Sequence, residues 1–140
     1  MSAAACSVCA GRWPSTADLI ADCGVATASL HTDQFFRGWT VLVLKRHATE
    51  LYELEAAERT ALMEQVARVA KAVAAATGAA KMNYALLGNQ VAHLHWHLIP
   101  RRADDPAPTE SPWSIAHAPR APSAAERTSR IAAIQRQLGA

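Results

Sequence analysis

The chain lacks a marked excess of either charge. Its 140 residues hold 14 Lys and Arg against 12 Asp and Glu, a formal net charge of +2. That is too little to draw in a nucleic-acid polymer by bulk electrostatics. It also lacks any apolar run near the roughly 20 residues that a membrane helix needs, so no membrane partner is expected. No basic flank followed by a long apolar run opens the chain, so a signal peptide is not expected. Cysteine is scarce: three residues, an odd count that does not suit a disulfide framework. A cytoplasmic location is the resulting expectation. No internal repeat is visible. About half of the residues are apolar and 19% are charged, which fits one compact soluble domain with a real core.

What is present is concentrated between Gln90 and Arg101. His93, His95 and His97 stand at strict two-residue spacing, with Leu94, Trp96 and Leu98 in the gaps. Such alternation predicts a β-strand with the imidazoles on one face and the apolar side chains buried on the other. Same-face neighbours on a strand lie roughly 6.6 Å apart, so His93 and His97 are about 13 Å apart at Cα. Zinc–nitrogen bonds are about 2.0 Å. One straight strand therefore strains to bring all three to a single metal, and separate tasks are expected.

The rest of the chain supports an α+β reading. Residues 18–30 read as two short strands broken at Gly24, and residues 31–38 as a loop. Trp39–Leu44 is a near-continuous apolar run, expected to be a central strand covered on both faces. It delivers Lys45, Arg46 and His47 at its end. Glu55–Thr77 is the clearest helix, with Leu62, Val66, Val69 and Val73 on one stripe and Gly78 as C-cap. Ala79–Leu87 reads as a strand that turns at Gly88-Asn89 into the histidine strand, which Pro100 ends. Five prolines make residues 103–122 an extended loop. Ser123 and Glu126 form a capping box for a last helix with an Ile131, Ile134, Leu138 stripe. Short turns predict an antiparallel meander of about five strands, with one main helix packed on it and a C-terminal helix. Residues 1–102 form the expected core. Residues 103–140 form a proline-rich tail and helix packed on the same domain.

Near the start, Cys6-Ser7-Val8-Cys9 is either half of a zinc site or a redox pair. No strand precedes it, which weakens the redox reading.

His93-Leu94-His95-Trp96-His97-Leu98-Ile99 resembles the histidine triad (HIT) superfamily, whose pattern is His-φ-His-φ-His-φ-φ with φ hydrophobic. Lys45-Arg46-His47 before the main helix, and Asn83 and Gly88 before the triad, extend the resemblance over about residues 6–102. It implies hydrolysis or transfer of nucleotidyl groups. His95 is then the nucleophile at the α-phosphate and His97 the partner of the phosphoryl oxygens; both are the catalytic residues. Asn83, Asn89 and Gln90, with His97, are the implied phosphate-binding residues. In zinc-containing members a Cys-x-x-Cys, the strand-end histidine and the first triad histidine hold one structural zinc. Carried over, the ligands are Cys6, Cys9, His47 and His93.

The sequence departs from the family at Gly88-Asn89-Gln90-Val91, where Gly-Gln-Ser/Thr-Val is usual. The acidic residue that usually holds the ribose is also missing, with Asp22 and Asp33 the nearest substitutes. The implied substrate is an adenine nucleotide, as a dinucleoside polyphosphate or nucleoside phosphoramidate. A nucleotidyltransferase and a non-catalytic nucleotide-binding module are the alternatives. A homodimer is implied too, with the tail around Trp113 placed to reach the partner's pocket.

Overall fold

Five antiparallel strands build one sheet in the computed structural model, which describes residues 2–139. They are β1 (Leu19–Asp22), β2 (Ala26–Leu30), β3 (Thr40–Leu44), β4 (Lys81–Ala85) and β5 (His95–Arg101). Helices α1 (Ala56–Thr77) and α2 (Ala124–Gln137) pack on each other and on the sheet. This is the expected α+β architecture. The strand order is β1-β2-β3-β5-β4, so the simple meander stops at β3. There α1 carries the chain across, β4 forms at the far edge, and β5 returns into the gap.

Strand alternation divides the side chains between two faces. Ala26, Ala28, Leu30, Leu42, Leu44 and Leu98 join the main core. Leu62, Val66, Val69 and Val73 of α1 and Ile134 of α2 enter the same core, and Trp96, Ile131 and Leu138 pack around it. Each fully buried aliphatic side chain is worth roughly 1.5–3 kcal/mol against exposure. On the opposite face, Val41 pairs with His97 and Val43 with His95. A second cluster of Phe36, Trp39 and Ile99 lies apart from the main core. All five β3 residues are buried, as its unbroken apolar run implies.

The helix ends follow local chemistry. Gly78 adopts φ 67° and donates to the Ala74 carbonyl, a left-handed cap that suits glycine. Ser123 Oγ accepts from the Glu126 amide at 3.1 Å, and the Glu126 carboxylate accepts from the Ser123 amide at 2.8 Å. The expected capping box therefore forms.

Two boundaries differ from expectation. The histidine strand begins at His95, not near Gln90, and residues 86–94 form a long connection rather than a tight turn. The Leu94 amide binds the Ala48 carbonyl, and the Leu44 amide binds the Leu94 carbonyl. These bonds draw His93 toward the end of β3 and away from β4. The strand also runs through Pro100 to Arg101. The ladder with β3 ends at Thr40–Leu98, so the missing proline N–H costs no bond on that side. Among the described residues no helix is long and apolar enough to cross a membrane.

Candidate functional site

The three histidines part company at the start of β5. His93 is 1% exposed, and its Nε2–H donates to the Leu44 carbonyl at 2.7 Å. Its Nδ1 therefore carries the lone pair. That nitrogen lies 3.4 Å from Cys6 Sγ and 3.7 Å from Cys9 Sγ. His47 Nδ1 lies 3.4 Å from Cys9 Sγ. The ligand atoms of Cys6, Cys9, His47 and His93 all fall within 4.8 Å of one another.

Typical zinc–sulfur and zinc–nitrogen lengths place S and N about 3.6 Å apart at the corners of a tetrahedron. Two thiols and two imidazoles at these separations fit that donor set. The Leu44 carbonyl fixes which His93 nitrogen faces the thiols, as an orienting partner does for a metal ligand. Burial pushes the Cys6 thiol up. The Cys9 amide, His93 and the Cys9 side chain outweigh it and bring Cys6 down to about 6. Cys9 is held up, first by its own desolvation and then by Cys6.

His95 and His97 face a different space, a cavity of about 430 Å³. His95 Nδ1–H donates to the His93 carbonyl at 2.7 Å. Its Nε2 is left as an unprotonated nitrogen on a residue that lines the cavity. Burial holds its pKa below the ordinary value, and the bond to the His93 carbonyl opposes this. Trp13 meets the His95 ring edge-on with centroids 5.1 Å apart. The His95 and His97 ring centroids are 4.9 Å apart.

His97 is fixed from behind. Trp39 Nε1–H donates to His97 Nδ1 at 3.2 Å, so a neutral His97 carries its proton on Nε2. Burial, then the neighbouring His95 and His31, push its pKa down to about 3. Trp39 is itself held by a stack on His31, with centroids 3.9 Å apart at an interplanar angle of 9°. The buried Gln34 amide binds the carbonyls of both His31 and Trp39 at 2.9 Å. Trp113 stands edge-on to Trp39 and His97 and closes the aromatic side. It thus lines the pocket of its own chain.

The fourth wall is the connection before β5. Gly88, Asn89, Gln90 and Val91 line the cavity, with Asn89 and Gln90 exposed. Asn83 does not line it: its Oδ1 accepts from Arg101 at 2.9 Å. The two acidic residues considered for the ribose are engaged elsewhere. Asp22 pairs with Lys45 at 2.7 Å and Asp33 with His117 at 2.7 Å.

The structure therefore gathers Cys6, Cys9, His47 and His93 at one centre. It gathers His95, His97, Asn89 and Gln90 at the next, and leaves Asn83 outside both. Trp13, His31 and Trp39 are the pocket residues that sequence reasoning passed over, and Trp113, which it singled out, lines the same cavity. One signal was available: just before β3, Trp39 continues the alternation of Val41 and Val43, which pair with His97 and His95.

Comparison with known proteins agrees with this geometry. The chain is similar to a histidine triad protein of Bradyrhizobium japonicum, at 32% identity over 86% of this chain and 91% of that one, with a TM-score of 0.76. A histidine triad protein of Sinorhizobium meliloti 1021 matches at 30% identity over 86% and 90%, also with a TM-score of 0.76. A zinc-bound histidine triad family protein of Mycobacterium smegmatis matches at 25% identity over 99% and 96%, with a TM-score of 0.72. No curated protein sequence matches significantly. The HIT domain family matches residues 14–104. With that match spanning most of the chain and the triad seated as described, the protein belongs to the HIT domain family.

Proposed function

We propose that the protein is a nucleotidyl hydrolase that works through a covalent nucleotidyl-His95. The observation that carries this reading is the His95 ring: Nδ1–H is committed to the His93 carbonyl and Nε2 is left as a nucleophile in the cavity. A lowered pKa keeps that nitrogen unprotonated at neutral pH.

In the first step an Nε2–P bond forms at the α-phosphate, and the bond from phosphorus to the leaving group breaks. The imidazolium so formed keeps its Nδ1–H on the His93 carbonyl. In the second step water adds to phosphorus and gives a proton to solvent. The N–P bond breaks, a nucleoside monophosphate leaves, and His95 returns neutral.

His97 is a hydrogen-bond donor in this scheme. Its Nδ1 is occupied by Trp39, and its pKa is near 3. It offers Nε2–H to a phosphoryl oxygen. Stabilisation of this kind suits leaving groups that depart as anions. Dinucleoside polyphosphates, whose leaving group departs as a phosphate anion, and nucleoside phosphoramidates are the candidate substrates. Asn89 and Gln90, on the exposed connection, add amide donors for the phosphate oxygens. The flat faces of Trp13, Trp39 and Trp113 suit a nucleobase, adenine by the family resemblance.

Zinc belongs to the same reading. Cys6, Cys9, His47 and His93 hold it, and it supplies a structural cross-link with no open position for water. A homodimer does also: β4 is an edge strand, and Tyr84 and Met63 are exposed large apolar residues on β4 and α1.

The test is release of AMP from a panel of diadenosine polyphosphates and adenosine phosphoramidates. Turnover of the polyphosphates that is lost in His95→Ala, at an unchanged melting temperature, supports the hydrolase. Full activity in that variant contradicts the nucleophile. Product formation that requires added phosphate or a sugar phosphate assigns a transferase instead. Binding without turnover assigns a non-catalytic nucleotide-binding module.

A further inference from the structure

A second cavity, of about 230 Å³, opens on the other side of the β2–β3 loop. It shares no lining residue with the histidine cavity. Three arginines from three elements line it: Arg37 from the β2–β3 loop, Arg102 just past β5, and Arg130 on α2. Thr77 and Ser129 add hydroxyls, and no acidic residue lines it.

The few anionic partners sit at its margin. Arg102 binds the exposed Asp104 at 2.9 Å and the Thr77 carbonyl at 2.6 Å. Arg130 contacts Glu126 at 3.4 Å and Gln34 Oε1 at 3.2 Å. Arg37 makes no hydrogen bond or salt bridge among the described residues, although Asp104 lies close enough to feel its charge. Burial lowers the Arg130 pKa; Glu126 opposes this, and the charges of Arg120 and Arg37 lower it further. The cavity therefore gathers three guanidinium groups, two with a carboxylate partner outside the lining and one, Arg37, with no salt bridge among the described residues, so an anion seated between them meets concentrated positive charge.

The geometry points to a second, anion-binding site at Arg37, Arg102 and Arg130 that takes the diphosphate group of a small molecule. Guanidinium forks match phosphoryl oxygens two at a time. The cavity is smaller than the roughly 300–1,000 Å³ of pockets that enclose drug-sized ligands. It suits one or two phosphoryl groups rather than a whole nucleotide. Free pyrophosphate and the diphosphate of ADP share this chemistry. The site does not depend on the nucleotidyl hydrolase reading, because no histidine of the triad lines it.

Calorimetric titration of the zinc-loaded full chain with inorganic pyrophosphate, and separately with ADP, tests the site. The chain carries His95→Ala and His97→Ala so that the first cavity is impaired. A saturable site that persists in this background is expected. Adding Arg37→Gln is expected to weaken it at least fivefold, and Arg37→Glu to abolish it, with no change in melting temperature because Arg37 is exposed and holds no structural bond. Loss with pyrophosphate alone assigns the free anion, and equal loss with ADP assigns the diphosphate of a larger molecule. Binding that disappears with the two histidines, or that is unchanged by Arg37→Glu, overturns the proposal.

Discussion

Trp39 donates its indole N–H to Nδ1 of His97 across adjacent strands, 3.2 Å away. The bond holds a neutral His97 in the tautomer that presents N–H to a bound phosphate. Trp39→Phe keeps the ring and removes the donor. It is expected to lower kcat about tenfold, the worth of one well-placed hydrogen bond, with a smaller change in KM. Steady-state kinetics on a diadenosine polyphosphate checks this. An unchanged kcat shows that His97 needs no such support.

The cysteine–histidine centre ties the N-terminal segment to the end of β3 and to His93. Zinc analysis of the purified chain is expected to find one ion per chain, and none in Cys6→Ser/Cys9→Ser. Chelation is expected to lower the melting temperature of the wild type and to leave that of the variant unmoved. Equal response of both proteins to a chelator sets zinc aside as a structural element.

A pH effect is expected where the tail meets the β2–β3 loop. The Asp33 carboxylate holds the His117 pKa above its ordinary 6.5, against some desolvation. Burial pushes Asp33 up, but the Arg120 amide and His117 bring it below its ordinary 3.8. A raised histidine contributes stability that is complete below about 6.5 and fades as pH climbs through its folded pKa. A lowered aspartate contributes stability that is complete above about 3.8 and fades in stronger acid. The pair is therefore strongest between about pH 4 and 6.5. Melting temperature against pH should fall between pH 6.5 and 8.5 in the wild type relative to His117→Gln. Parallel curves contradict the pairing.

Arg101 is 2% exposed and staples the tail: it binds Asp105 at 2.8 Å, Asn83 at 2.9 Å, and the carbonyls of Ala107 and Glu110. Arg101→Met leaves these acceptors and a largely buried carboxylate unpaired. A loss on the order of 3 kcal/mol is expected in urea unfolding. A loss below 1 kcal/mol shows that the tail is held by other contacts.

These same bonds show what the sequence carried and what it did not. The His95–His97 alternation and the α1 stripe are local patterns that the structure follows, while His93 leaves the strand and joins the Cys-x-x-Cys. The placement of Asn83 outside the cavity was not legible, because its partner Arg101 lies eighteen positions on. The irregular backbone at His93 was hidden too, since the Ala48 carbonyl that draws Leu94 aside lies 46 positions earlier. Trp13, His31, Trp39 and Trp113 are isolated in sequence. They meet only because β5 inserts beside β3 and the tail folds back over Asp33.

The nucleophilic role of His95 is the centre of the account, and intact-mass spectrometry after rapid acid-free quenching tests it most directly. Incubation with a diadenosine polyphosphate should add the mass of one adenylyl group to the wild-type chain, with peptide mapping locating it on His95. His95→Ala should show no adduct at any time. An adduct on another residue, or turnover by the wild type with no adduct under conditions that trap phosphoramidates, would contradict it.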